Sequence, residues 1–147
     1  MRILLAVDGS APSQDAIDEI EKRSWHASTT ARVLSVVQPY FPPATEFVAG
    51  ALVSQDVLQQ QEKGARQVVA NAAAQLTRAG LSVDTAVRQG DPRTVIVDEA
   101  AEWGADLIVL GSHGHTGLTR LLLGSVAQAV VAHAPCSVEV VRRRRTA

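Results

Sequence analysis

An α/β domain with one open, mostly parallel sheet and helices on both faces is the fold that this sequence predicts. Three observations carry that prediction. Short unbroken apolar runs, such as residues 3–7 and 107–110, end at aspartate or glycine turns, as strands buried on both faces do. Longer stretches with apolar residues at helical spacing separate those runs. A chain of 147 residues suits one domain with one substantial core, so the strands and helices are expected to share a single sheet.

Ile3-Leu4-Leu5-Ala6-Val7 reads as the first strand and stops at Asp8-Gly9-Ser10. A helix follows over residues 11–23, where Ala16, Ile17 and Ile20 recur at helical spacing and Pro12 suits a first turn. Residues 31–37, rich in Val and Leu, form the second strand. Gln38-Pro39-Tyr40-Phe41-Pro42-Pro43 ends it and opens a long loop, because proline cannot donate to a central ladder. Between residues 52 and 79, Leu58, Ala65, Val69, Ala72 and Leu76 fall on one helical stripe, which Gly80 closes. Residues 81–87 alternate apolar with polar as a third strand. Gln89-Gly90-Asp91-Pro92 then supplies a turn, an N-cap and a first-turn proline for a helix through Val95, Ile96, Glu99 and Ala100. Leu107-Ile108-Val109-Leu110 is the most plainly buried strand and ends at Gly111. A last helix from Ser125 to about His133 and a last strand over residues 137–141 complete the alternation.

Composition excludes several function classes. Apolar residues at 46% and charged residues at 20% argue against disorder and against a membrane span. Fourteen Lys and Arg residues against 15 Asp and Glu leave no global basic field for nucleic acid or anionic lipid, and 3% aromatic residues leave few rings to stack on bases. Neither a nucleic acid nor a membrane is therefore expected as a partner. Arg142-Arg143-Arg144-Arg145 reads as part of a solvated basic tail, residues 143–147, after a domain over residues 1–142. Cys136 has no second cysteine to pair with, and the N-terminal apolar run is too short for a signal-peptide core, so the cytoplasm is the expected compartment.

The chemically informative stretch is Gly111-Ser112-His113-Gly114-His115-Thr116-Gly117-Leu118-Thr119-Arg120-Leu121-Leu122-Leu123-Gly124-Ser125. Glycines after a buried parallel strand let backbone N–H groups turn toward one point, and the helix start behind them adds unpaired donors and a positive dipole end. That combination fits a phosphate chain. No Gly-Lys-Ser/Thr is present, and Gly-x-Gly-x-x-Gly is not spelled, so the two best-known phosphate motifs are excluded. His113 and His115 have no further histidine or carboxylate cluster near them in sequence, which argues against a protein-bound metal. Trp25 and Trp103 near helix ends read as packing residues, and Cys136 reads as a small buried hydrophobe.

Gly111, Gly114, Gly124 and Ser125 satisfy Gly-x2-Gly-x9-Gly-Ser, which resembles the ATP-binding motif of the universal stress protein family. The start at residues 3–10, the proline-rich stop after Val37, the Gly90-Asp91 turn and the ending His133-Ala134-Pro135-Cys136-Ser137-Val138 are also similar to that family. Many members carry Cys-Pro-Val there, a departure that touches the last strand and not the motif. The resemblance implies five parallel strands in the order 3-2-1-4-5, an adenine nucleotide α-hydrolase-like fold whose switch point lies between strands one and four. It also implies ATP with Mg2+ held mainly by the phosphates, and a homodimer through the last strand at Val138 and Val140. By position, the Val37 backbone meets adenine, Asp8 and Gly111 lie near the ribose, and Gly114, Gly124 and Ser125 hold phosphates. Ala6, Val7, Ser10, Leu110, Ser112, His113 and Val126 are expected as neighbours in the same pocket.

Plainer readings stand beside these. Ser125 with Gln128 spells a capping box, and Asp8 before Gly9-Ser10 also suits a turn or the cap of the first helix. Arg120 suits either a γ-phosphate or solvent. The leading function is a nucleotide-dependent regulatory protein without catalytic residues. The alternatives are a slow ATP hydrolase or nucleotidyl transferase, for which His113, His115 or Asp8 would have to serve as base, and a dimeric partner-binding module with incidental nucleotide.

Overall fold

The computed structural model describes residues 1–39, 47–114 and 122–143. Strand and helix alternate along the chain: β1 (Arg2–Ala6), α1 (Ala11–Glu21), β2 (Thr30–Val37), α2 (Phe47–Arg78), β3 (Ser82–Gln89), α3 (Pro92–Trp103), β4 (Leu107–Gly111), α4 (Ser125–His133) and β5 (Ser137–Val141). The strands form one parallel sheet in the order β3-β2-β1-β4-β5. In the centre, Leu5 lies beside Val33 on one side and Val109 on the other.

Successive side chains of a strand point to opposite faces, so a strand buried on both sides cannot show an amphipathic alternation. Leu4 and Leu5 are both 0% exposed, which identifies β1 as such a strand. Ile3, Leu5, Val33 and Val109 pack on Ala16, Ile17 and Ile20 of α1 and on Val69, Ala72 and Leu76 of α2. Leu4, Leu34, Ile108 and Leu110 pack on Ile96 and Ala100 of α3 and on Ala127 and Val130 of α4. Each face is therefore covered by a helix pair, and most of the positions that sequence spacing assigns to buried stripes of α1, α2 and α3 are buried, with Leu58 and Val95 only half-buried.

Element ends differ from expectation where side-chain pattern and backbone pairing diverge. The sequence places a strand end at residue 87, yet β3 runs to Gln89, because Arg88 and Gln89 keep the ladder opposite Val36 and Val37 although neither is apolar. Likewise α2 begins at Phe47, ahead of the apolar stripe. A stripe marks packing, whereas a helical ladder needs only backbone.

Polar residues tie the layers together. Glu99 of α3 is 5% exposed and accepts from Arg32 Nη1 at 2.9 Å and from Arg88 Nε at 3.0 Å. Arg32 also grips Asp84 with two bonds, at 2.9 and 3.0 Å, and its guanidinium lies 4.8 Å from the Trp103 ring centre. Trp25 donates its indole N–H to Ile20 O at 2.8 Å. Both tryptophans thus act in packing, as expected.

Candidate functional site

From the adjacent strands β1 and β4 the chain departs to opposite sides, to β2 in one case and β5 in the other. A crevice opens beyond the carboxyl ends of such strands, and it is there that ligands of open α/β sheets settle. Two connections wall it.

Asp8-Gly9-Ser10 forms the first wall. Gly9, at φ 80°, takes a left-handed conformation that a side chain would strain. The Asp8 Oδ1 atom accepts from Ser10 N at 3.0 Å and from Ser10 Oγ at 2.5 Å, while Asp8 N donates to Ser13 Oγ at 3.1 Å. Ser10 is the N-cap of α1, its Oγ accepting from Ser13 N at 3.3 Å. Of the two plain readings for Asp8, the turn is therefore the observed one and the helix cap belongs to Ser10.

Gly111 to Gly114, together with Gly124, form the second wall. Gly111 passes so close to α1 that a Cβ there would stand 2.5 Å from Pro12 O. Ser112, 5% exposed, donates its N–H to Val141 O at 2.9 Å and accepts from Gly124 N at 2.8 Å. That second bond brings the two ends of the glycine motif together. A Cβ on Gly124 would lie 3.2 Å from both His113 Cα and Ser112 O, and one on Gly114 would lie 2.7 Å from Asp8 Oδ2. The walls thus meet at Asp8 and Gly114. His113, half-buried, shares a 3.1 Å hydrogen bond between its Nδ1 and Ser112 Oγ.

The capping box, the plainer reading of Ser125 with Gln128, does not form. Gly124 is the N-cap of α4 and offers no side chain, which makes Ser125 the first helical residue, exposed to solvent. Gln128 instead donates its side-chain amide to Leu123 O at 2.6 Å. Amides of a first helical turn have no acceptor within the helix. An uncapped start of this kind suits an anionic group, and the glycines leave room for it to approach the backbone.

The remaining expected residues surround this point in different ways. Ala6 and Leu110 end the paired segments of β1 and β4, with Leu110 buried in the α3–α4 core, so it is their backbone that borders the crevice. Val7 donates its N–H to Leu34 O at 2.9 Å. Val37 ends β2, and its carbonyl accepts from Gly90 N at 2.9 Å. Val126 packs half-buried against the α3–α4 core. His115, Arg120, the stretch from Tyr40 to Glu46 and the tail from Arg144 onward lie outside the described residues. Ser13 is a site neighbour that the sequence reading passes over, because a serine in a first helical turn looks like an ordinary capping residue. The signal was the spacing Asp8-x-Ser10-x-x-Ser13.

A depression of about 670 Å³ opens at the opposite end of the sheet between Arg2, Thr30, Ser82 and Trp103. It lacks a glycine-rich turn and a helix start, the features that hold an anion. Among the described residues no group of three His, Cys, Asp or Glu side chains is arranged to hold a metal ion. None of the described helices is long and apolar enough to cross a membrane.

Comparison with known proteins matches residues 1–142 to the model of the universal stress protein family. The putative universal stress protein SERP1273 of Staphylococcus epidermidis is 34% identical over 149 residues, covering 95% of this chain and 82% of the relative. The solved structure of the hypothetical protein MJ0577 superposes with a TM-score of 0.85 at 25% identity, covering 99% of this chain and 97% of that one. A universal stress protein family protein of Arabidopsis thaliana, solved with AMP bound, shares the fold at a TM-score of 0.70 and 18% identity, covering 98% of this chain and 92% of that one.

Proposed function

We propose, from the premise that the chain belongs to the universal stress protein family, that it binds ATP in the crevice between β1 and β4 and acts as a nucleotide-dependent regulatory protein in a stress response. The observation that carries this reading is the 2.8 Å bond from Gly124 N to Ser112 O, which brings the uncapped start of α4 against Ser112 and His113, next to the Gly114 that faces Asp8. In this reading Gly114, Gly124 and Ser125 hold the phosphates, and Asp8 and Gly111 border the ribose. The Val37 carbonyl takes the adenine amino group as a second donor beside Gly90 N–H. Ala6, Val7, Ser10, Leu110, Ser112, His113 and Val126 complete the pocket. The AMP-bound Arabidopsis protein supports the reading only as a likeness of fold.

A phosphate chain next to the Asp8 carboxylate calls for a counter-ion. With no three-ligand cluster among the described residues, Mg2+ would be carried mainly by the phosphates and water. The protein works in the cytoplasm as a homodimer, paired along β5, where Val138 and Val140 are half-buried in the single chain. Calorimetric titration with ATP and Mg2+ tests the reading. One site per chain is expected, with binding weakened at least about tenfold in Gly114→Ala, whose added methyl group crowds Asp8. Absence of binding to the wild-type protein at millimolar ATP would sink it.

A further inference from the structure

We propose that Ser13 is a positioning residue for the nucleotide: its buried hydroxyl holds the Asp8 turn so that the carboxylate faces the glycine-rich wall. The proposal rests on the reading of the crevice as a nucleotide site. Ser13 lies in the first turn of α1 and is 4% exposed. Its Oγ accepts Asp8 N–H at 3.1 Å, its own N–H donates to Ser10 Oγ at 3.3 Å, and Ser10 Oγ donates to Asp8 Oδ1 at 2.5 Å. The three residues close a ring, with Ser10 N bonding the same Asp8 oxygen at 3.0 Å.

That ring does something a helix cap does not. Capping of α1 uses Ser10 Oγ and the backbone N–H of Ser13, so it survives loss of the Ser13 hydroxyl. What the hydroxyl supplies is the acceptor for Asp8 N–H, two residues before the cap. Without it the amide lacks that acceptor and the turn gains freedom, which an exposed aspartate next to Gly9 readily uses. The carboxylate is the group that faces the glycine wall: Asp8 Oδ2 sits 2.7 Å from where a Cβ of Gly114 would stand. A turn that shifts carries the carboxylate with it, toward or away from that wall.

A double-mutant cycle on ATP affinity with Mg2+ tests this, using the wild type, Ser13→Ala, Asp8→Ala and the pair. Ser13→Ala is expected to weaken binding about threefold to tenfold, the effect of one hydrogen bond. In the Asp8→Ala background the same change should cost less than about twofold, because the group being positioned is gone. Ser13→Thr, which keeps the hydroxyl, should restore most of the affinity. If Ser13→Ala does not fold, Ser13→Cys, of similar size and a poor acceptor, replaces it in the cycle. Unchanged affinity in Ser13→Ala, or an equal loss in both backgrounds, would overturn the role of Ser13 while leaving the nucleotide reading intact. No binding by the wild type would remove both.

Discussion

Gly111 is the residue at which fold and site constrain each other most tightly. An added Cβ would meet Pro12 O at 2.5 Å and Pro12 Cβ at 2.9 Å, so relief requires movement of backbone at the start of α1. Gly111→Ala is expected to destabilise the protein by about 1–3 kcal/mol in urea unfolding, as overpacking does. Gly64, inside α2 with nothing within 4 Å, makes the contrasting control. There the same substitution should stabilise by up to about 1 kcal/mol through helix propensity. Equal shifts at the two positions would contradict the close approach. The glycine motif was legible in the sequence because only glycine permits such contacts. The role of Ser125 was legible less well: a serine followed by Gln128 satisfies a capping pattern, but the cap fell one residue earlier, on Gly124, whose backbone is held by Ser112. Local spacing cannot register a bond made to a residue twelve positions away.

Among the elements, α1 and α2 are clamped by amides on a carboxylate. Asp18 accepts from Gln14 Nε2 at 2.8 Å and from Gln75 Nε2 at 3.0 Å, and those two bonds hold its pKa below the ordinary 3.8. A carboxyl with a lowered pKa in the folded state contributes stability that is complete above its unfolded value and fades as pH falls through the folded one. Asp18→Asn should therefore flatten the decline of melting temperature between about pH 5 and pH 2, and an unchanged slope would contradict the clamp. On the other face, Glu99 of α3 sits between Arg32 and Arg88. Glu99→Ala removes charge-assisted bonds to Arg32 and Arg88, although Arg32 keeps Asp84, and should cost about 1–3 kcal/mol, read from urea midpoints; a loss within experimental error would show these ties to be dispensable. The existence and type of the described elements followed from apolar spacing, since burial imposes it. The polar ties Arg32–Glu99 and Gln14–Gln75 were not legible, because a charged or amide residue on a helix gives no sign of which distant residue it meets.

For the whole molecule, alternation of strand and helix implied a parallel sheet, whereas the order β3-β2-β1-β4-β5 came from family resemblance, because periodicity within an element says nothing about its neighbours. The order matters, since it creates the switch point at which Asp8 and Gly114 meet. It also leaves β5 at an edge, with Val138 and Val140 half-buried. If two chains pair there, Val138→Glu with Val140→Glu should convert a two-chain species into a monomer in sedimentation, and a wild-type monomer at micromolar concentration would count against the dimer. The two ends of the sheet compete as binding places, the glycine-walled crevice at one and the depression by Arg2 and Trp103 at the other. Backbone amide shifts on addition of ATP and Mg2+ separate them most directly. If nucleotide binds in the crevice, the amides of Asp8, Gly111, Ser112, Gly114, Gly124 and Ser125 move together and saturate at one nucleotide per chain. Shifts confined to Arg2, Thr30, Ser82 and Trp103, or none at all, would contradict it.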